Sequence, residues 1–97
     1  MRVISQAALR EFWRLHPDAE RPLRAWYQDT SRAVWRSPAD IKQSYRNASI
    51  LGANRVVFNI RGNTYRLVVY IHYETGYVYV RFLGTHAQYN RIDARTI

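Results

Sequence analysis

Ninety-seven residues with 15 basic and 7 acidic side chains give one domain, residues 1–97, and a net charge of +8. No cysteine is present, which excludes a disulfide framework, a zinc ribbon and a thiol nucleophile. The longest apolar run, Leu67 to Ile71, is far below the ~20 residues of a membrane span.

In chain order, Met1 to Ile4 suggests a short edge strand. Only Val3 and Ile4 follow Arg2 before Ser5, too few for a secretory leader, and the expected setting is soluble, cytoplasmic and away from membranes. Ser5 can cap a helix in which Leu9, Phe12, Trp13 and His16 recur at helical spacing. Pro17 stops it, and Asp18 is placed to cap a second helix with Leu23, Trp26, Tyr27, Thr30 and Val34 as its buried stripe. Ser37-Pro38-Ala39-Asp40 then supplies a cap, a proline at the first helical position and an acid in the first turn, and a short third helix or turn through Lys42 to Tyr45 follows. Residues 47–54, with Gly52, read as a loop.

The period then changes from helix to strand. Val56, Phe58 and Ile60 alternate with Val57, Asn59 and Arg61, and Gly62-Asn63 is a two-residue hairpin signal. Beyond it Tyr65, Leu67, Val69 and Ile71 alternate with Arg66, Val68, Tyr70 and His72. A turn at Glu74-Thr75-Gly76 leads into a third run, Tyr77 to Leu83, with Val78, Val80 and Phe82 assigned to one face. Helices followed by an antiparallel meander define an α+β chain in the order β-α-α-β-β-β, with a small turn or helix at its end.

The charge is concentrated in the second half. Lys42, Arg46, Arg55, Arg61, Arg66, Arg81 and Arg91 face a single acid, Glu74, between Ile41 and Ile92. Fourteen of the 15 cations are Arg, whose planar fork fits phosphate or carboxylate, so a nucleic acid or an acidic protein is the expected partner. A hairpin closed by Gly62-Asn63 sets Ile60 opposite Tyr65 and Asn59 opposite Arg66. Asn59, Arg61, Arg66, Tyr70 and His72 then share one face, which Tyr79 and Arg81 join if the next strand keeps parity. Cations for a phosphate backbone and rings for base stacking suit single-stranded nucleic acid. Taken singly, an outward Arg is ordinarily a solvated residue and a strand Tyr a packing residue, so the cluster carries the reading.

Metal-free RNA cleavage needs a cation for the phosphate and groups that move protons, and Arg66, His86 and Tyr89 supply those types. His86 follows the last strand, where it either exchanges protons or merely caps the strand end. His16 continues an apolar helical stripe, and His72 adjoins a turn. The three histidines are widely spaced with no acidic cluster nearby, so neither a metal site nor a cofactor is expected.

The segments Val56-Val57-Phe58-Asn59-Ile60-Arg61-Gly62-Asn63-Thr64-Tyr65-Arg66-Leu67 and Arg81-Phe82-Leu83-Gly84-Thr85-His86-Ala87-Gln88-Tyr89 resemble the HigB family of type II toxin–antitoxin toxins, within the RelE/ParE superfamily. The likeness extends to His16-Pro17-Asp18-Ala19, Trp26-Tyr27, Ser37 to Lys42 and Asn47 to Gly52, nearly the whole chain. It implies the RelE/ParE-like fold and a ribosome-dependent mRNA endonuclease silenced by a HigA-like helix-turn-helix antitoxin. The Arg of a Tyr-Arg-Leu-Val strand in RelE toxins matches Arg66, the position two after a strand-ending Gly matches His86, and a C-terminal Tyr matches Tyr89. The RelE lysine pair has no counterpart, with Lys42 and Arg55 as candidate substitutes, which leaves the general base unassigned. Lys42, Arg46, Arg55, Asn59, Arg61 and Arg81 are the expected contacts to mRNA and ribosomal RNA. A ParE-like gyrase inhibitor that cleaves no RNA, or a plain RNA-binding module, are the alternatives.

Overall fold

A computed structural model describes residues 1–97. Strand β1 (Arg2–Ile4) leads into helix α1 (Gln6–Leu15), a 3-10 turn at Pro17–Ala19 and helix α2 (Glu20–Arg32). Helix α3 (Pro38–Ser44) and strands β2 (Ser49–Ile50), β3 (Arg55–Ile60), β4 (Tyr65–His72) and β5 (Tyr77–Thr85) follow, and helix α4 (His86–Tyr89) closes the regular structure. The five strands form one sheet in the order β1-β5-β4-β3-β2. β2 to β5 pair antiparallel and β1 pairs parallel with β5, so the sheet is mixed. This is the α+β fold expected of a RelE-like chain, with β2 added where a loop was expected.

The first helix ends as its sequence requires. Pro17 lacks an N–H and disfavours helical geometry at His16, which adopts φ −129° and ψ 79° while its N–H bonds to Phe12 O. Asp18 does not cap α2, because Ala19 occupies that position. Its carboxylate instead accepts a 2.6 Å hydrogen bond from the Tyr65 hydroxyl and lies 3.3 Å from Arg61, tying the α1–α2 junction to the β3–β4 turn. Val34 is also corrected. α2 stops at Arg32, Ala33 is extended, and Val34 is 71% exposed while Trp35 turns inward.

The hairpin register is the expected one, with Ile60 opposite Tyr65, Asn59 opposite Arg66 and Phe58 opposite Leu67. Pairing stops there, however, and residues 61–64 form a four-residue turn in which Arg61 and Gly62 have φ of 53° and 61°. Val56, Phe58, Ile60, Tyr65, Leu67, Val69, Ile71 and Val78 bury one face against Leu9, Leu23, Trp26, Trp35 and Ile41. Four rings meet at its centre: Phe58 contacts Trp26, Trp35 and Tyr45 at centroid separations of 5.4, 6.0 and 5.2 Å.

The opposite face is not simply solvated. Val57, Val68 and Ala94 form a second, smaller core flanked by Leu51, Phe82, Tyr89, Ile92 and Ile97, so the segment after α4 packs across the middle of the sheet. Phe82 belongs here because of a register shift. Val69 pairs with Val80 but Val68 pairs with Phe82, which leaves Arg81 as the extra residue of a bulge. Phe82 is thereby moved off the face of Val78 and Val80. Arg81 leaves the Tyr79 face as well, and borders a groove with Glu11, Phe12 and Leu15 of α1.

Two phenols couple this packing to pH. The hydrogen bond to Asp18, followed by burial, raises the pKa of Tyr65, and burial followed by the bond to Asp29 raises that of Tyr45. A raised folded-state value favours the neutral phenol in the folded protein. That stabilisation is complete below the unfolded value of about 10 and is lost as pH rises through the folded values. Melting temperature is therefore expected to fall above about pH 10, more steeply than in a Tyr45→Phe, Tyr65→Phe double variant. Equal slopes for the two proteins would refute the coupling.

Candidate active site

Arg66 lies on β4, the middle strand, between Asn59 on β3 and Gly84 on β5. Asn59 Oδ1 accepts a hydrogen bond from Arg66 Nη1. On the other side Gly84 contributes no side chain, and the Tyr89 ring stands over the guanidinium with its centroid 5.4 Å from Cζ. The Arg66 Nε is buried without an acceptor in the protein. No carboxylate pairs with this cation: the chain's ion pairs are Arg14–Glu11, Arg24–Glu20 and Arg61–Asp18. The guanidinium is thus half-buried, held by Asn59 and Tyr89, and has no carboxylate partner.

α4 brings the other groups to the same end of the sheet. Thr85 and Gln88 close a capping box: Gln88 N–H donates to Thr85 Oγ1 at 3.1 Å, and Thr85 N–H donates to Gln88 Oε1 at 2.9 Å. His86 is thus the first residue of a helix capped by its neighbours. The His86 N–H reaches Thr64 O at 3.2 Å, which pins the start of α4 to the β3–β4 turn. Its half-buried ring has Nδ1 3.4 Å from Asn90 Nδ2. Tyr89, one helical turn on, leans against Phe82 at 6.4 Å.

Gly84 is needed for this arrangement. A Cβ there would stand 2.6 Å from both the Phe82 ring and Gln88 Oε1. Gly84→Ala is expected to cost about 1–3 kcal/mol, read as a lower urea midpoint, because both the ring and the cap must move. An unchanged midpoint would mean that the cap region yields freely.

The remaining expected contacts are dispersed. Lys42 Nζ donates to Arg46 O and to Ala48 O, fastening the end of α3 to the approach of β2. Arg55 donates to Ala53 O and twice to Ile97 O, and stacks on Tyr70 at 4.9 Å. Both of the candidate lysine substitutes are therefore tied to main-chain oxygens, and Arg55 lies about 13 Å along the strand pair from Arg66. Arg61 is exposed beside Asp18, and Arg46 is exposed beyond α3. His72 Nδ1 faces Thr75 Oγ1 at 2.8 Å, and His16 stacks on Phe12 at 4.4 Å. None of the surface clefts is lined by Arg66, His86 or Tyr89. Sequence reasoning missed the packing of Ile92 and Ala94 beside the site, although the apolar Ile92, Ala94 and Ile97 were its signal.

A small basic α+β chain whose helices precede a five-stranded mixed sheet is consistent with a RelE-like fold. The chain belongs to the HigB toxin family, described as the RelE-like toxic component of a toxin–antitoxin system, whose family model matches residues 19–92. A toxic component of such a system implies an antitoxin partner. No protein with a curated description matches the chain. No helix is long and apolar enough to cross a membrane.

Proposed function

We propose that residues 1–97 act as a single toxin domain that cleaves mRNA in the ribosomal A site and is silenced by a HigA-like helix-turn-helix antitoxin. The observation that carries this reading is the Arg66 guanidinium, held by Asn59 and Tyr89 with a buried Nε and no acid to neutralise it.

In the proposed reaction the 2′-hydroxyl attacks its own 3′-phosphate, the bond to the 5′-oxygen breaks, and a 2′,3′-cyclic phosphate and a 5′-hydroxyl result. Arg66 donates to the phosphate oxygens as charge develops on them. His86 or Tyr89 protonates the leaving 5′-oxygen, and the proton of the attacking 2′-hydroxyl passes to water, no residue being assigned as its base. The ribosome supplies the in-line geometry that free RNA rarely adopts, which accounts for a site with no cleft of its own. Arg46, Arg61 and Arg81 serve as phosphate contacts, and their grip should weaken steeply with salt through counterion release.

Primer extension on an mRNA with purified protein, with and without translating ribosomes, tests the reading. Cuts that appear only with ribosomes and end in cyclic phosphate are the expected result. Uncut RNA together with inhibited DNA supercoiling would reassign the chain to a gyrase inhibitor.

A further inference from the structure

A second feature on the Arg66 face belongs to no step of that reaction. Val3, Val78, Val80, Val69, Ile71 and Val56 point into the main core, so the alternate residues of the same strands point the other way. The register lines these up in two rows. Ile4, Tyr79, Tyr70 and Arg55 lie side by side across β1, β5, β4 and β3, and Arg2, Tyr77 and His72 form the next row. Tyr70 and Tyr79 are 6.1 Å apart between centroids, as are Tyr77 and Tyr79, and all three rings are tilted rather than stacked on one another. They are half-buried and keep part of their surface accessible. Arg55 covers one end of the band, stacked on Tyr70, and exposed Arg2 marks the other. No band residue takes part in an ion pair, and the nearest acid in sequence, Glu74, stands in the exposed turn between β4 and β5.

We infer that this tyrosine band is a second RNA contact, which stacks unpaired bases of ribosomal RNA while the sheet's cations hold the backbone. Aromatic side chains on neighbouring strands of a flat sheet face are the arrangement that single-stranded RNA binds. Exposed Arg2 beside the rings, with no acidic side chain among them, matches a polyanion, while Arg55 at the far end already donates to Ala53 O and Ile97 O. The chain's net charge of +8 adds long-range attraction. The assignment to ribosomal RNA rather than the cut strand follows from the C-terminal segment. Ala94 packs on Val57 and Val68 between Arg66 and Tyr70, and so interrupts a continuous track along the strands. This inference rests on the ribosome-dependent reading for its partner, but on different residues.

The test is co-sedimentation of the full chain with ribosomes stripped of mRNA, alongside binding to a 2′-O-methyl oligouridylate that cannot be cut. A Tyr77→Ala, Tyr79→Ala double variant is expected to bind both about tenfold or more weakly, while Tyr77→Phe, Tyr79→Phe, which keeps the rings, binds within about threefold of the parent. Arg66→Ala is expected to sediment like the parent even though it no longer cuts. Unchanged sedimentation of the double Ala variant overturns the inference. So does a loss seen only when mRNA is present, which would place the cut strand on the band. Loss of antitoxin co-purification with unchanged RNA binding would make the band an antitoxin surface and overturn it too. A parent protein that sediments through the band yet cuts no mRNA would remove the nuclease reading and leave the RNA contact standing.

Discussion

Arg66→Ala is expected to lower ribosome-dependent cleavage by about a hundredfold to a thousandfold, the usual cost of removing a donor aimed at developing negative charge. The fold should survive the change. Truncation leaves Asn59 Oδ1 without its donor, but it also removes a buried Nε that has no acceptor, and the two effects oppose each other. Melting within a few degrees of the parent and retained antitoxin binding are therefore expected beside the lost activity. Arg66→Lys separates charge from shape. A lysine keeps the cation but cannot hold Asn59 and lie flat against Tyr89 while presenting a planar fork to phosphate, so it should recover only a small part of the rate. His86→Ala is expected to slow cleavage while melting within a few degrees of the parent, whereas a residue that merely shaped the strand end would lower stability and activity together. Full toxicity in both Ala variants would place the chemistry elsewhere on the molecule.

What was legible in the sequence follows from how local each determinant is. The β3–β4 register could be read because Gly62-Asn63 sits between two alternating runs, and a slip of one residue would expose Phe58 and Leu67. That register by itself sets Asn59 beside Arg66. The bulge at Arg81 could not be read, since it exists only in the pairing of β5 with β4 and leaves no mark on the Tyr77–Leu83 alternation. Its consequence is substantial, because it moves Phe82 beneath Tyr89 and takes Arg81 away from the tyrosines. Asp18 and Lys42 illustrate a second limit. Each has the chemistry of its expected role, capping for one and phosphate contact for the other. Yet a Tyr65 hydroxyl 47 residues distant along the chain binds Asp18 instead of a helix end, and Lys42 also donates to the carbonyls of residues 46 and 48, contacts that no local pattern announces. Val34 continues the helical spacing of α2, but Trp35 must leave the helix to reach Phe58, and the backbone extends at Ala33 to let it.

Phe58→Ala should be the most destabilising single change in the chain, about 3–5 kcal/mol for truncating a buried ring. Phe58 is 1% exposed, and its ring is the common neighbour of Trp26 from α2, Trp35 from the α2–α3 connection and Tyr45 from the end of α3. Three separately ordered segments therefore lose a contact together, and rigid rings cannot collapse into the void as aliphatic chains do. A domain of this size has a net stability near the lower end of the usual range of about 5–15 kcal/mol, so the loss takes most of it. The expected reading is a large drop in urea midpoint with an unchanged slope, and a melting temperature lowered by roughly 12–40 °C. Phe58→Leu, which keeps most of the volume, should cost less than about 1.5 kcal/mol. The consequence reaches the site through the next residue. Asn59 points to the opposite face and holds Arg66, so every opening of β3 also releases the guanidinium. Cleavage by Phe58→Ala should accordingly track its folded fraction, recover on cooling from about 37 °C toward the temperature of maximum stability, and be protected by the bound antitoxin. A loss below about 1 kcal/mol would show that the aromatic cluster is not what holds the helices to the sheet.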